Sequence, residues 1–120
     1  MAIHNKTGEY GENQAAKFLI SKGYQIRNTQ WRYEKAEIDI IAENEDFVVF
    51  VEVKTRSSNA WGDPIESVDS VKQKRIMDAA QEYIDQFEID KEIRFDVLSI
   101  ILNDIPDINH IEEAFTPEFD

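Results

Sequence analysis

The sequence predicts an α/β fold in which helices flank a mixed β-sheet, and the order of its periodic segments carries this prediction. Residues 7–23 have helical periodicity, with Ala15, Ala16 and Leu19 on one face. Three strand-like segments follow, and a second amphipathic segment then precedes a further apolar run. The order αβββαβ indicates a sheet with helices packed on its faces.

The first helix is expected to begin after Thr7, a favourable N-cap residue, and to end near Gly23. Glu12 falls on the inward, apolar stripe of this helix, which makes it a candidate site residue. The alternative is a first-turn acid that the helix dipole favours. Gly8 and Gly11 precede Glu12 and suggest that something approaches the backbone closely there, although glycines weaken a helix start for many reasons.

The strand-like segments 37–41 and 47–54 are expected to form a hairpin. Asn44-Glu45-Asp46 between them is typical of a turn. A two-residue loop there would place Asp39 directly opposite Glu52, with their Cβ atoms roughly 4.5–5.5 Å apart.

Three charged residues in these two apolar strands, Asp39, Glu52 and Lys54, form the candidate site. Burying an unpaired charge is costly, so charges inside apolar strands call for a reason. Two facing carboxylates repel each other, and a divalent cation with a preference for oxygen ligands, Mg²⁺ or Mn²⁺, would relieve that repulsion. Lys54 could then contact a nucleophilic water or a phosphate oxygen. The alternative is a surface ion pair on an edge strand beside a solvated Asp39.

The second helix is expected to begin after Asp69 or Ser70 and to carry three basic residues in its first turns. Lys72 lies on the inward stripe, whereas Lys74 and Arg75 lie off it. Cations at a helix start oppose the helix dipole, so they need an anion, either a phosphate or a nearby acid. Ordinary solvated charges remain the alternative. The predicted apolar face of this second helix comprises Ile76, Ala79, Ala80, Tyr83, Ile84 and Phe87.

The remaining segments have structural interpretations. Residues 24–31 and 95–102 are expected to form the first and fourth strands, and residues 110–115 an edge strand. Asp96 is expected to be a structural partner of Arg94 rather than a ligand. The two histidines show no ligand spacing and are assigned no chemistry, and residues 57–64 are expected to form a loop.

Composition limits the classes of function. The 120 residues are expected to form one domain, 1–120, with its core at about 8–115. The chain has no apolar run long enough for a bilayer and no N-terminal leader pattern, so no membrane partner is expected. The absence of cysteine excludes disulfides and thiolate metal sites, and it is compatible with a cytoplasmic location.

The net charge of -12 is unusual for a nucleic-acid-binding protein, but it is unevenly distributed. Residues 82–120 hold 12 acidic and 2 basic residues. The candidate nucleic-acid-binding bases, by contrast, lie just downstream of the site: Arg56, Lys72, Lys74 and Arg75. This distribution allows local phosphate binding but counts against tight, unassisted DNA binding.

Five sequence blocks, taken together and in order, resemble the YraN-like family of small bacterial proteins. This family belongs to the PD-(D/E)XK nuclease superfamily and is likened to archaeal Holliday junction resolvases. The blocks are Gly11-Glu12, Ala36 to Ile41, Phe50 to Arg56, Lys72 to Ile76, and Arg94 to Val97. The resemblance extends over about residues 8–115, with one departure, Ala36 in place of the usual glycine.

The resemblance implies a restriction-endonuclease-like αβββαβ core and a role for each site residue. Asp39 and Glu52 would be ligands of Mg²⁺ or Mn²⁺, completed by the carbonyl of Val53. Lys54 would orient the attacking water or stabilise developing charge, and Glu12 would be an outer ligand. Glu37 matches an acid of the family's Gly-Glu-Ile-Asp block and is a candidate accessory residue.

Two functions of different classes follow from these observations. The first is a metal-dependent endonuclease acting on branched or damaged DNA, with homodimerisation as one way to cut two strands. The second is a non-catalytic adaptor that keeps the fold and binds a protein or nucleic-acid complex, which the acidic charge favours. Retention of Asp39, Glu52 and Lys54 opposes the second. A purely structural ion-pair network ranks last.

Overall fold

A five-stranded sheet with a helix packed on each face forms the fold. The computed structural model describes residues 3–57, 68–105 and 107–117, and side-chain environments from residue 8 onward. The predicted loop 57–64 therefore lies almost entirely outside the described residues. The elements are α1 (Ile3–Ser21), β1 (Gln25–Tyr33), β2 (Ala36–Glu43), β3 (Phe47–Arg56), α2 (Ser70–Gln86), β4 (Glu92–Ile101) and β5 (Asp107–Phe115).

The strands lie in the order β1-β2-β3-β4-β5, so each strand neighbours the next one along the chain. β3 and β4 are parallel, and the other neighbouring pairs are antiparallel. Because parallel neighbours need a long crossover, α2 makes that connection. The predicted mixed sheet flanked by helices is confirmed, and β5 is an edge strand as expected.

The start of α1 differs from the prediction, whereas its end agrees. The helix begins at Ile3, so Thr7 lies inside it instead of capping it. A single cap residue is a weak signal when neighbouring residues also favour helix. Gly23 has a φ of 96°, and the backbone N–H of Tyr24 donates to the carbonyl of Leu19 at 3.0 Å. This left-handed glycine closes the helix in a Schellman motif.

The two faces of the sheet bury separate apolar cores. Phe50 and Phe95 pack with the α2 residues Ile76, Ala79, Ala80 and Tyr83 on one face. Ala15 and Leu19 of α1 pack with Val49 and Val51 on the other face. Alternation along β3 is therefore as predicted. The predicted apolar face of α2 needs one correction, because Phe87, at the C-cap, is 41% exposed and Met77 is buried instead.

The hairpin between β2 and β3 has the predicted register. The side chain of Asn44 accepts hydrogen bonds from the backbone N–H groups of Asp46 and Phe47, at 3.0 and 2.8 Å. The pairing of β2 with β3 continues through Ile40 and Val51. The pairing ends there, and Asp39 and Glu52 are the next residues of the two strands beyond it.

The chain becomes irregular at the point where the ladder reaches Asp39. On β1, Thr29 pairs with Ile40 and Trp31 pairs with Ile38. Gln30, between these two paired residues, has a left-handed φ of 50°. Ile38 packs in the core beside α2, whereas Ile40 packs in the core beside α1. Simple alternation would put residues 38 and 40 on the same face. The strand therefore changes face around Asp39.

Candidate functional site

Asp39 is held by the neighbouring strand through its carboxylate. The backbone N–H of Val53 donates a hydrogen bond to Asp39 Oδ2 at 2.8 Å. Burial, together with the negative charge of Glu52, raises the pKa of Asp39 to about 8, against the lowering effect of the Val53 hydrogen bond. The two carboxylates predicted to face each other are thus close enough to interact strongly.

Glu52 is a buried acid on β3, only 8% exposed. Its Oε2 forms an ion pair with the ammonium group of Lys72, which reaches across from the first turn of α2. Lys72 had been predicted on the inward side of this helix, as a cation in need of an anion. Its anion here is the candidate metal ligand itself.

Glu12 approaches the same region from α1. It is half-buried, and the side-chain amide of Gln30 donates a hydrogen bond to Glu12 Oε1 at 3.1 Å. Burial raises the pKa of Glu12 above its ordinary value, aided by the negative charges of Glu37 and Glu52 and opposed by the Gln30 hydrogen bond. Glu12 therefore belongs to the acidic region around Glu52.

A close contact between α1 and β3 positions Glu12. Gly11 is buried, and a Cβ atom added to it would lie 1.9 Å from Thr55 Oγ1. The predicted close approach is confirmed at Gly11. At Gly8 a Cβ atom would meet nothing within 4 Å, so the close approach is seen at Gly11 alone of these two glycines.

Lys54 lies one side-chain repeat beyond Glu52 and is partly exposed. Alternation places both side chains on the face covered by α2. Ser99, the parallel partner of Lys54 on β4, is buried. Within the described ranges no carboxylate is paired with Lys54. Arg56, another predicted nucleic-acid-binding residue, is partly exposed at the end of the same strand.

The other predicted site residues lie farther out. Glu37 accepts a hydrogen bond from Arg32 at 2.9 Å, which fixes it at the outer part of β2. Lys74 forms an ion pair with Asp78 one helical turn later, at 3.2 Å. Arg75 is exposed on α2.

A surface cavity of about 270 Å³ opens beside the Glu52–Lys72 ion pair, between the β1–β2 turn and the start of α2. We call it the α2 cleft. Its lining residues are Lys35, Ala36, Glu37, Asp69, Val71, Lys72, Arg75 and Ile76. Lys35 was not predicted as a site residue, because the only sign of its position in the sequence is its place in the short turn between β1 and β2.

The donor set fits a weakly held divalent cation rather than a closed protein cage. In the part of the chain that the structure describes, no three His, Cys, Asp or Glu side chains are arranged to hold a metal ion. Asp39 and Glu52 are two neighbouring carboxyl groups, and burial, together with the negative charge of Glu52, raises the pKa of Asp39, so a bound cation would favour its charged form. Mg²⁺ is commonly bound by one or two carboxylates and several waters.

A second polar cluster connects β4 and β5, and it includes Lys22, the residue after α1, whose ammonium nitrogen is 2.8 Å from His110 Nδ1. Asp96, fully buried, accepts two hydrogen bonds from Arg94 at 2.9 Å and is 2.6 Å from His110 Nε2. Burial alone would raise the pKa of Asp96, but the hydrogen bonds from His110 and Arg94 outweigh it and keep this pKa below its ordinary value. The predicted pairing of Asp96 with Arg94 is confirmed, and His110, which sequence reasoning set aside, holds the same carboxylate.

The mixed five-stranded sheet flanked by helices defines an α/β protein whose architecture is compatible with a restriction-endonuclease-like core. Comparison with known sequences then assigns the particular family. The chain belongs to the uncharacterised protein family UPF0102, the YraN-like family, whose family model matches residues 11–100.

Relatives match the chain over nearly its whole length. A UPF0102 protein of Bacteroides thetaiotaomicron is 46% identical over 118 residues, which cover 98% of each chain. A UPF0102 protein of Phocaeicola vulgatus is 42% identical over the same length and coverage. A third, from Flavobacterium psychrophilum, is 44% identical over 116 residues, 96% of this chain and 98% of its own. None of the described helices is both long and apolar enough to span a membrane.

Proposed function

We propose that this protein is a Mg²⁺- or Mn²⁺-dependent endonuclease that hydrolyses phosphodiester bonds of branched or damaged DNA. The observation that carries the proposal is the interacting pair Asp39 and Glu52 on neighbouring strands, with Lys54 one repeat beyond. Acids that destabilise each other at the edge of an apolar core have a physical reason to be there if a cation binds between them.

In this proposal Asp39 and Glu52 hold the cation, with the Val53 carbonyl as a further ligand. When bound, the cation would polarise a phosphoryl oxygen and lower the pKa of a water that attacks in line. Lys54 would donate to that water or to a phosphate oxygen and so offset the charge that develops there. Glu12 would act from α1 as an outer ligand, held in place by Gln30.

The proposed DNA contacts come from local bases rather than from the overall charge. Arg56 ends β3, and Lys72, Lys74 and Arg75 lie in the first two turns of α2, although Lys72 and Lys74 also contact acids of this chain. A protein partner or a second copy of the chain would supply further binding surface. The proposed place of action is the cytoplasm, since a cysteine-free chain has no need of an oxidising compartment.

A non-catalytic adaptor is the second candidate, and the Glu52–Lys72 ion pair favours it. An acid already neutralised by a lysine needs no cation, and the net charge of -12 repels DNA at long range. An adaptor of this kind would bind its protein or nucleic-acid complex without metal. The two candidates therefore differ in whether binding depends on Mn²⁺.

Cleavage of labelled DNA tests the proposal. Four-way junction, flap, duplex and single-stranded substrates are incubated with Mn²⁺ and wild type, Glu52→Gln, or the matched control Glu92→Gln on the exposed start of β4. We expect wild type and control to cut, and Glu52→Gln to lose about 100-fold or more in rate, as for removal of a group that acts in the transition state. Equal cutting by all three would identify a contaminant and remove the site assignment.

A further inference from the structure

The ion pair between Lys72 and Glu52 occupies the carboxylate that the proposed function gives to a cation. Glu52 is nearly inaccessible, with 9% of its side chain exposed, whereas 45% of the Lys72 side chain is exposed. The lysine therefore approaches a buried acid from the solvent side. A divalent cation at Glu52 and the Lys72 ammonium would compete for the same negative charge.

The α2 cleft lies directly beside this ion pair and has unpaired positive charge. Its two acids are already engaged: Glu37 pairs with Arg32, and Asp69 caps α2 by accepting from the backbone N–H of Lys72 at 2.9 Å. Lys35 and Arg75 also line the cleft, and no described carboxylate pairs with either of them. If the Lys72 ammonium group leaves Glu52, it therefore enters the α2 cleft beside the cations Lys35 and Arg75. This is unfavourable unless an anion enters the cleft too.

We propose that Lys72 is an exchangeable counter-ion: divalent metal displaces it from Glu52, and it then binds a nucleic-acid backbone phosphate in the α2 cleft with Lys35 and Arg75. This inference rests on the proposed function, because it assumes a cation at Glu52. It adds a phosphate subsite next to the cleavage site, and an order of binding in which metal prepares the cleft for DNA.

Linkage makes the exchange reciprocal. If metal releases Lys72 to bind phosphate, then phosphate in the cleft draws Lys72 away from Glu52 and strengthens metal binding by the same factor. A lysine is suited to this exchange because its long side chain is flexible and its ammonium binds either anion as a compact charge. The carboxylate of Glu52 is never left bare, since one cation replaces the other.

The first test measures Mn²⁺ binding by calorimetry without DNA. All variants carry Lys54→Met, the background substitution, which is chosen to prevent turnover in later steps. In this background, Lys72→Met is compared with the matched control Lys17→Met. Lys17 is an exposed lysine of α1 outside the cleft. We expect Lys72→Met to bind Mn²⁺ about tenfold more tightly than the background, within the roughly 5- to 150-fold range of coupled sites. The control should leave the affinity unchanged.

The second test measures binding of a fluorescent DNA duplex by anisotropy, with and without Mn²⁺, in the same variants. The background and Lys17→Met should gain about tenfold in DNA affinity when Mn²⁺ is added, by the same coupling. Lys72→Met should lose that gain, and Lys35→Met and Arg75→Met should reduce it. Each variant is first checked for an unchanged circular dichroism spectrum.

Three results would overturn the exchange. Unchanged or weaker Mn²⁺ binding in Lys72→Met would show that the lysine does not compete with metal. A metal-dependent gain in DNA affinity that survives in Lys72→Met would place the phosphate elsewhere. Absence of Mn²⁺ binding in every variant would remove the proposed function as well. If both expected results appear but no DNA is cut by the protein with Lys54 intact, the exchange stands and only the nuclease activity fails.

Discussion

At the scale of single residues, the candidate site is a balance of like and unlike charges. Asp39 and Glu52 destabilise each other, while Lys72 neutralises one of them and Val53 supports the other through its backbone. Such a set stores unfavourable energy that binding of the proposed cation would release. This physical property is measurable without knowledge of the substrate.

The raised pKa of Asp39 predicts how stability depends on pH. In the unfolded chain this acid loses its proton near pH 4, as model peptides do, whereas in the folded protein it does so near pH 8. The stabilising contribution is complete below about pH 4 and is lost as pH rises through about 8, because the folded state alone keeps the proton between them. Urea unfolding of wild type should therefore show a decline in stability between about pH 4 and about pH 8, and a level profile above that.

Asp39→Asn should flatten that decline and be more stable than wild type at pH 9 by roughly 1–3 kcal/mol. Asp46→Asn, at the exposed hairpin turn, is the matched control and should keep the wild-type profile. A profile of Asp39→Asn parallel to that of wild type would mean that another group controls the pH dependence.

Addition of Mn²⁺ should raise the melting temperature of the wild type and leave Glu52→Gln unchanged. A ligand that binds only the folded state stabilises it by mass action, about 2.7 kcal/mol at a concentration of 100 times its Kd. Differential scanning fluorimetry over a Mn²⁺ series measures this shift. An equal shift in both proteins would locate metal binding away from Glu52.

At the scale of elements, the packing of α1 on β3 decides where Glu12 lies. Gly11→Ala forces a methyl group into Thr55, so we expect a loss of about 1–3 kcal/mol in unfolding free energy, as for other overpacked sites. Gly8→Ala, in the same helix with open space around it, should instead gain about 0.5–1 kcal/mol. Chemical denaturation of the two variants gives both values. Equal effects would mean that helix propensity, rather than the Thr55 contact, dominates.

The edge strand β5 is fixed to β4 by the buried carboxylate of Asp96. Arg94→Met removes one partner of this acid and should cost about 3–5 kcal/mol, because a buried charge is then poorly compensated. Hydrogen exchange should show faster exchange in β5, beginning with the backbone N–H of Glu113, which donates to Asp96 at 3.1 Å. If protection of β5 stayed as in wild type, the strand pairing itself would be sufficient to hold it.

Local patterns in the sequence predicted the elements well, and tertiary contacts account for what they missed. Alternation along β3 and the Asn44 turn predicted the hairpin and its register, because both signals act within a few residues. The partner of Lys72 was left open, since an anion 20 residues away along the chain gives no local signal. For the same reason, the binding of His110 to Asp96 was not foreseen.

At the scale of the whole molecule, we expect the acidic C-terminal third to oppose the proposed binding of DNA. Neutralising the exposed acids Asp85, Glu88, Asp104 and Asp107 to their amides removes four negative charges far from Asp39 in sequence. We expect DNA affinity to rise by about 3- to 10-fold at low salt for every DNA form alike, and the gain to shrink near 0.15 M salt, where the Debye length is about 8 Å. Anisotropy titrations at several salt concentrations measure the effect.

A gain that differs between junction and duplex DNA would show that these acids touch the substrate instead of acting at a distance. An unchanged affinity would show that their field does not reach the site.

The short turn at Asn44 has a consequence for which changes of length this chain tolerates. Its hydrogen bonds to Asp46 and Phe47 fix which residues of β2 and β3 meet, and Asp39 and Glu52 meet only in that register. If one residue were inserted at the turn and the pairing register shifted by one, every side chain of the shifted strand would move to the opposite face of the sheet. Insertions here must therefore be absorbed as a bulge at the tip, while deletions would separate the two acids.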